Sequence, residues 1–255
     1  MKITDQLLSQ GNTFFRYRSY IPLLLLPFAF WACAVRINQY PAWFTHESIT
    51  LPEKLAIVLF LIGFIIRVIT VGFTPANTSG RNTVKQLADS LNTKGIYSTV
   101  RHPLYLGNFF MWLSIAVLTA DLYFVIVFCL CYFIFYERVM LAEEDFLANK
   151  FGDAYSQWSQ QVPTIIPAFG QWHSPDLHFS WKKVLAKEKN GVLAFFTLVA
   201  LFQLWVDYIQ TGGVQLPHRW TLIALLITGL AYLILKLIKY QTSWLKEENR
   251  RSKQT

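Results

Sequence analysis

Four separate runs of apolar residues, each close to the length of a bilayer crossing, limit this chain more than any other feature. They extend from about Tyr20 to Val35, Leu55 to Phe73, Val192 to Ile209 and Trp220 to Leu237. A helix needs about 20 apolar residues to cross the hydrocarbon core. A fifth region, Leu104 to Tyr136, is almost continuously apolar and is broken only at Thr119-Ala120-Asp121. It is too long for one ordinary crossing and reads as a tight hairpin of two short helices. The expected fold is all-α, a multi-pass integral membrane protein of about six transmembrane helices. Only 15% of the 255 residues are Asp, Glu, Lys or Arg, and 54% are hydrophobic. A soluble domain carries about 25% charged residues, so a soluble globular enzyme is excluded. Disorder is excluded by the wealth of aromatic and aliphatic side chains.

Basic residues then orient the chain, because cytoplasmic loops carry an excess of Lys and Arg. On one side fall Arg16, Arg18, Arg81, Lys85, Lys94, Arg101, Arg138 and Lys150, then Lys182, Lys183 and the C-terminal lysines and arginines. The other side has only Arg36, Lys54 and Arg219. Both termini are expected in the cytoplasm. The same asymmetry accounts for the net charge of +8 without any nucleic acid partner. About 20 mostly polar residues precede the first apolar run, so it reads as a retained helix rather than a cleaved signal. Arg67, inside the second run, and Asp207, near the outer end of the fifth span, are expected to snorkel toward the interface. Cys33, Cys129 and Cys131 read as small buried hydrophobes, and no metal site is expected.

Two long polar stretches, 74–101 and 138–190, share the cytoplasmic side. The first ends in Gly95-Ile96-Tyr97-Ser98-Thr99-Val100-Arg101-His102-Pro103-Leu104-Tyr105-Leu106-Gly107 and runs straight into the third span. Pro103 suits a first helical turn, where its missing N–H costs nothing. The free N–H groups of such a helix start attract a carboxylate or phosphate, with Arg101 and His102 beside it. Gly107 would let a ligand or another backbone approach closely. The second stretch carries Glu143-Glu144-Asp145, then Phe151-Gly152-Asp153-Ala154-Tyr155, Trp158 and Val162-Pro163-Thr164-Ile165-Ile166-Pro167. Adjacent carboxylates repel one another and prefer water or a cation. A tight hairpin brings them to the membrane face that holds Arg101–Tyr105. An anion-binding helix start facing two carboxylates suits a zwitterionic ligand.

Arg-His-Pro-x-Tyr-x-Gly at the head of a membrane hairpin, followed by Glu-Glu-x-x-Leu-x-x-x-Phe-Gly-x-x-Tyr and a Val-Pro-x-x-Ile-Pro ending, resembles the isoprenylcysteine carboxyl methyltransferase and phospholipid methyltransferase superfamily. The resemblance covers about residues 92–168. It divides the chain into N-terminal helices and loop (1–91), motif region with hairpin (92–168), and a C-terminal linker with two helices (169–255). It implies S-adenosyl-L-methionine in a cytoplasm-facing pocket and a membrane lipid as acceptor partner, with a lipid phosphate, a phospholipid amine and an isoprenylcysteine-type carboxylate all open. Tyr97, His102, Pro103, Leu104, Tyr105, Gly107, Glu143 and Glu144 would match the cofactor-binding set, with Arg101 and Glu143 as catalytic residues. The donor would be capped by the segment around Tyr155 and Pro163. Methyl transfer depends largely on positioning, so no nucleophile need be present.

One position departs from the prenylcysteine enzymes: their substrate-binding Arg, four residues before the acidic pair, is Val139 here. Arg138 is its neighbour and, with Arg81, is the expected substrate-binding cation. The segment Thr74 to Asn82 is similar to bacterial relatives that methylate lipid phosphates such as that of lipid A, which points to a bacterial inner membrane. Membrane sterol reductases, which bind NADPH, share an Arg-His-Pro-x-Tyr-x-Gly-like segment, but an acidic residue usually follows its glycine, where Asn108 stands here. A non-enzymatic transporter or scaffold would place polar residues on several helices near mid-bilayer, and these spans have few. The sequence leaves the oligomeric state open.

Overall fold

A computed structural model describes residues 2–44, 49–75 and 88–245. Among the described residues eight α-helices follow one another: α1 (Ile3–Tyr17), α2 (Leu26–Gln39), α3 (Leu51–Phe73), α4 (Pro103–Val117), α5 (Leu122–Phe151), α6 (Asp153–Gln161), α7 (Trp181–Thr211) and α8 (Arg219–Gln241). Five segments are long and apolar enough to cross a membrane: Ile21–Gln39, α3, α5, α7 and α8. α4 is apolar but shorter than these five. This is an all-α, multi-pass membrane protein.

Local chemistry sets the helix boundaries. Thr50 and Glu53 form a reciprocal cap at the start of α3, which satisfies two backbone donors that the helix leaves unpaired. Asp121 caps α5 by accepting from the Phe124 amide at 2.7 Å. Ser180 caps α7 by accepting from the Lys183 amide. At Gly152, φ is 54°, a conformation that costs glycine little. That residue ends α5 and redirects the chain into α6.

The hairpin arms are unequal. α4 has 15 residues and α5 has 30, so the second arm is not short: it leaves the apolar zone and continues as one helix through Glu143 and Glu144. Two more features escape a hydropathy reading. α1 is an amphipathic helix along α5; a Cβ at Gly11 would collide with the Arg138 carbonyl. α7 begins eleven residues before its apolar run, and its start is fastened to the end of α3. There the buried Lys183 ammonium donates to the Thr74 carbonyl (3.0 Å), the Thr74 hydroxyl (3.0 Å) and the Pro75 carbonyl (2.7 Å).

Helices in lipid gain little from expelling water and associate through close packing and small residues. α3 and α4 meet in this way: a Cβ on Gly63 would lie 2.5 Å from the Gly107 carbonyl. Deeper in the bundle, Phe60 of α3 stacks on Phe195 of α7 with ring centroids 3.9 Å apart. Arg67 and Asp207 do not snorkel. Arg67 is paired inside the bundle, and Asp207 is fully buried. Burying a charge is costly unless it is paired, and for Arg67 packing between helices supplies the partners Glu188 and Asn108, which position along a single helix does not reveal. Of the cysteines, Cys33 is buried, Cys129 half-buried and Cys131 exposed.

Candidate active site

The two motif halves meet at one end of the bundle. The His102 Nε2 lies 2.9 Å from Glu144 Oε1, and its Nδ1 lies 3.7 Å from Glu143 Oε2. An Arg101 terminal nitrogen is 3.1 Å from Glu144 Oε1. Glu144 is thus clamped by both basic residues, whereas Glu143 lines a cavity together with Tyr97, Arg101, His102, Pro103, Leu104, Tyr105 and Tyr155. The adjacent acids play different parts: Glu144 fastens α5 to the start of α4, and Glu143 faces the space between them.

The segment after α6 closes the same end. The Arg101 amide donates to the Pro163 carbonyl and the Ala168 amide to the Thr99 carbonyl, both at 2.9 Å. The Arg101 guanidinium donates to the Thr164 hydroxyl. Trp158 Nε1 donates to the Tyr97 carbonyl at 3.1 Å. Gly95 (φ 62°) bonds through its amide to the His173 carbonyl at 2.9 Å. This backbone conformation favours glycine, and it lets residues 95–101 lie against the returning chain.

Rings stack behind the polar groups. Tyr105 lies 5.6 Å from the His102 ring and 5.0 Å from Tyr136 between centroids, and the Tyr132 hydroxyl donates to the Tyr105 carbonyl at 2.9 Å. Burial disfavours a charged His102, but the two glutamates outweigh it and raise the imidazole pKa above its ordinary value. Burial, assisted by Glu144 and opposed by Arg101, pushes the Tyr155 hydroxyl up to about 12. That hydroxyl stays protonated near neutral pH and can donate.

The cavity encloses about 460 Å³, within the usual range of ligand sites. Two polar atoms of its lining residues, Arg101 Nε and the Tyr155 hydroxyl, are buried without a hydrogen-bond partner among the described residues. Such groups are uncommon in native folds; with Glu143 they offer two donors and an acidic acceptor in one space. A molecule carrying a carboxylate, an ammonium and hydroxyls fits that set. The described residues hold no cluster of metal-ligating side chains.

Other expected residues are placed differently. Gly107 is not on the cavity wall; it meets Arg67 and Gly63 across the α3–α4 contact, so the close approach is made by protein. Arg138 points away, with Nε donating to Gln10 of α1 at 3.0 Å and a terminal nitrogen to the Ile134 carbonyl at 2.6 Å. Arg81 lies outside the described residues. Cavity residues that were not selected from the sequence include Arg18, Arg67, Asn108 and Glu188. For Arg67 a signal existed, since a charge within an apolar run calls for a partner, but nothing in the sequence named Glu188 as that partner.

The fold and this end of the cavity define a multi-pass membrane protein with a methyltransferase-type motif on a helical hairpin. Residues 53–154 match the family model described as phospholipid methyltransferase, and this part of the chain belongs to the isoprenylcysteine carboxyl methyltransferase and phospholipid methyltransferase superfamily. A protein-S-isoprenylcysteine O-methyltransferase of Schizosaccharomyces pombe is 40% identical over 78 residues, 30% of this chain and 33% of that protein. One from Xenopus laevis is 27% identical over 123 residues, 48% of this chain and 42% of that protein. The cobalt-zinc-cadmium resistance protein CzcN of Cupriavidus metallidurans is 32% identical over 79 residues, 31% of this chain and 36% of that protein. The chain therefore spans less than half the length of each of these relatives. No solved structure matches it.

Proposed function

We propose that this chain is an integral-membrane S-adenosylmethionine-dependent methyltransferase acting on a lipid acceptor at the cytoplasmic face, with a lipid phosphate as the acceptor head. The observation that carries the reading is a cavity lined by Arg101, Tyr155 and Glu143, in which Arg101 Nε and the Tyr155 hydroxyl are buried with no hydrogen-bond partner among the described residues. The resemblance of the motif halves supports it, as does the superfamily match. A carboxyl acceptor of the isoprenylcysteine type is the alternative, favoured by the names of the S. pombe and X. laevis relatives.

In this reading Arg101 and Tyr155 hold the donor's carboxylate, Glu143 takes its ammonium or ribose hydroxyls, and Tyr105 packs against it. S-adenosylmethionine held there would supply a sulfonium methyl to the acceptor oxygen, with the electron pair of the broken carbon–sulfur bond left on sulfur and one negative charge of the acceptor neutralised. An oxyanion acceptor has no proton to lose, so the protein's task is to align it and exclude water. Glu144 contributes indirectly, by holding Arg101 and His102 in place.

Calorimetry on the purified protein tests the reading. S-adenosylmethionine should bind and NADPH should not; binding of NADPH alone would overturn it. Mass spectrometry of lipids from cells with and without the protein should then show an acceptor heavier by one CH2.

A further inference from the structure

The cavity continues beyond the motif residues, and its far part is built by α7, which lies outside the family match. Arg67 stands six residues before the end of α3, Asn108 five after the start of α4 and Glu188 seven after the start of α7. All three therefore sit roughly 8–11 Å along their helices from the same end. Arg67 Nε lies 2.8 Å from Glu188 Oε2, one terminal nitrogen lies 2.7 Å from Glu188 Oε1, and the other lies 2.5 Å from Asn108 Oδ1. Glu188 is 3% exposed. Farther in, roughly 18–21 Å from that end, the wall becomes apolar, with Phe60, Ile115 and Phe195.

We propose that α7 completes the acceptor end of the cavity, with Arg67, fixed by Glu188 and Asn108, orienting the anionic head of a lipid whose chain occupies the apolar part. This rests on the methyl-transfer reading above. Three of the five N–H groups of a guanidinium are used by Glu188 and Asn108, which leaves one on each terminal nitrogen for an incoming oxygen. The change from polar to apolar wall at a single depth matches an amphipathic ligand. Charge selects the head: the wall carries Arg18, Arg67, Arg101 and His102 against Glu143 and Glu188, with Glu144 paired behind Arg101 and His102, so the basic groups outnumber the acidic ones by one. A bound sulfonium would add another. Such a space favours a carboxylate or phosphate head over an ammonium. The pair also accounts for Gly107, because a Cβ there would lie 2.6 Å from the Arg67 side chain where it passes α4.

The test uses the full chain in mixed micelles with a methyl-labelled donor and three lipids: phosphatidic acid, oleate and phosphatidylethanolamine. Label should enter phosphatidic acid, identifying a phosphate head, or oleate, identifying a carboxylate. Removing Arg67 alone would leave Glu188 buried and unpaired, so the double variant Arg67→Gln/Glu188→Gln is the better probe. Losing a charge-assisted hydrogen bond of about 1.5–3 kcal/mol should raise KM for the anionic lipid about ten- to a hundredfold, with donor affinity kept within about twofold of the unaltered protein. Leu198→Trp, which fills the apolar end without touching the pair, should shift preference to shorter chains while keeping donor affinity; a purely structural role would not move chain-length preference. Label entering only phosphatidylethanolamine would overturn the proposal. So would unchanged KM and chain-length preference in these variants while the donor still binds. Failure of the unaltered protein to bind donor would overturn the methyl-transfer reading itself, and this proposal with it.

Discussion

The two ends of the cavity are built on different principles. At the rim, residues 97–105 and 143–155 come from two short stretches joined by a hairpin, and they are linked by Glu144 to His102 and Arg101. At the inner end, Arg67 and Glu188 stand 121 positions apart and meet where α7 packs on α3. The rim is a local arrangement that a linear pattern can encode. The inner end is a tertiary arrangement, and it is where the acceptor reading places its selectivity.

Substitutions should therefore separate the two ends. The largest expected effect is at the rim. His102→Ala or Glu143→Ala should weaken S-adenosylmethionine binding about a hundredfold, the worth of one strong charge-assisted contact, as measured by calorimetry. Unchanged affinity in both variants would remove the rim as donor site. Lys183→Met should detach α7 from α3. Losing the hydrogen bonds from the Lys183 ammonium to Thr74 and Pro75 should cost about 1–3 kcal/mol, read as a lower unfolding temperature in detergent. Gly107→Ala should displace Arg67 and lower turnover of the acceptor about tenfold while sparing donor affinity; an equal loss of both would merge the two ends.

A smaller effect is expected from pH. Because the folded-state pKa of His102 is raised above its ordinary 6.5, its clamp on the glutamates is fully present below that value and is lost as pH rises through the raised one. Thermal stability should fall by a few degrees across that window, and the fall should be absent in His102→Asn. The smallest effect belongs to Arg138→Ala, which should change donor affinity and turnover less than about twofold, since its guanidinium bonds to α1. A larger loss in transfer assays would return Arg138 to the acceptor site.

What the sequence makes legible follows the same division. Apolar run length foretells the crossings, and the two motif halves point to one rim, with Pro103, His102 and Glu143 placed together by the hairpin. Hydropathy treats Arg67 as a surface-seeking defect, because the partner that makes its burial tolerable lies in a segment with no motif. It also starts α7 too late: Lys183 and Glu188 read as loop charges, whereas both are buried in a helix and paired with α3. α1 was missed for a related reason, since a helix of low hydropathy declares itself only by its moment and by the groove on α5 that receives it. Splitting Glu143 from Glu144 likewise needed side-chain geometry.

The brevity of α4 has a consequence for the surrounding bilayer. Fifteen residues rise about 22 Å, well short of the roughly 30 Å of a hydrocarbon core. At its far end the turn carries Asp121, paired with Arg36 at 2.6 Å and only partly exposed. A hydrophobic length shorter than the membrane is met by local thinning, so the lipid beside this helix should be dimpled toward the charged turn. The hairpin would then favour thinner membranes and shape the lipid film at the flank of the cavity.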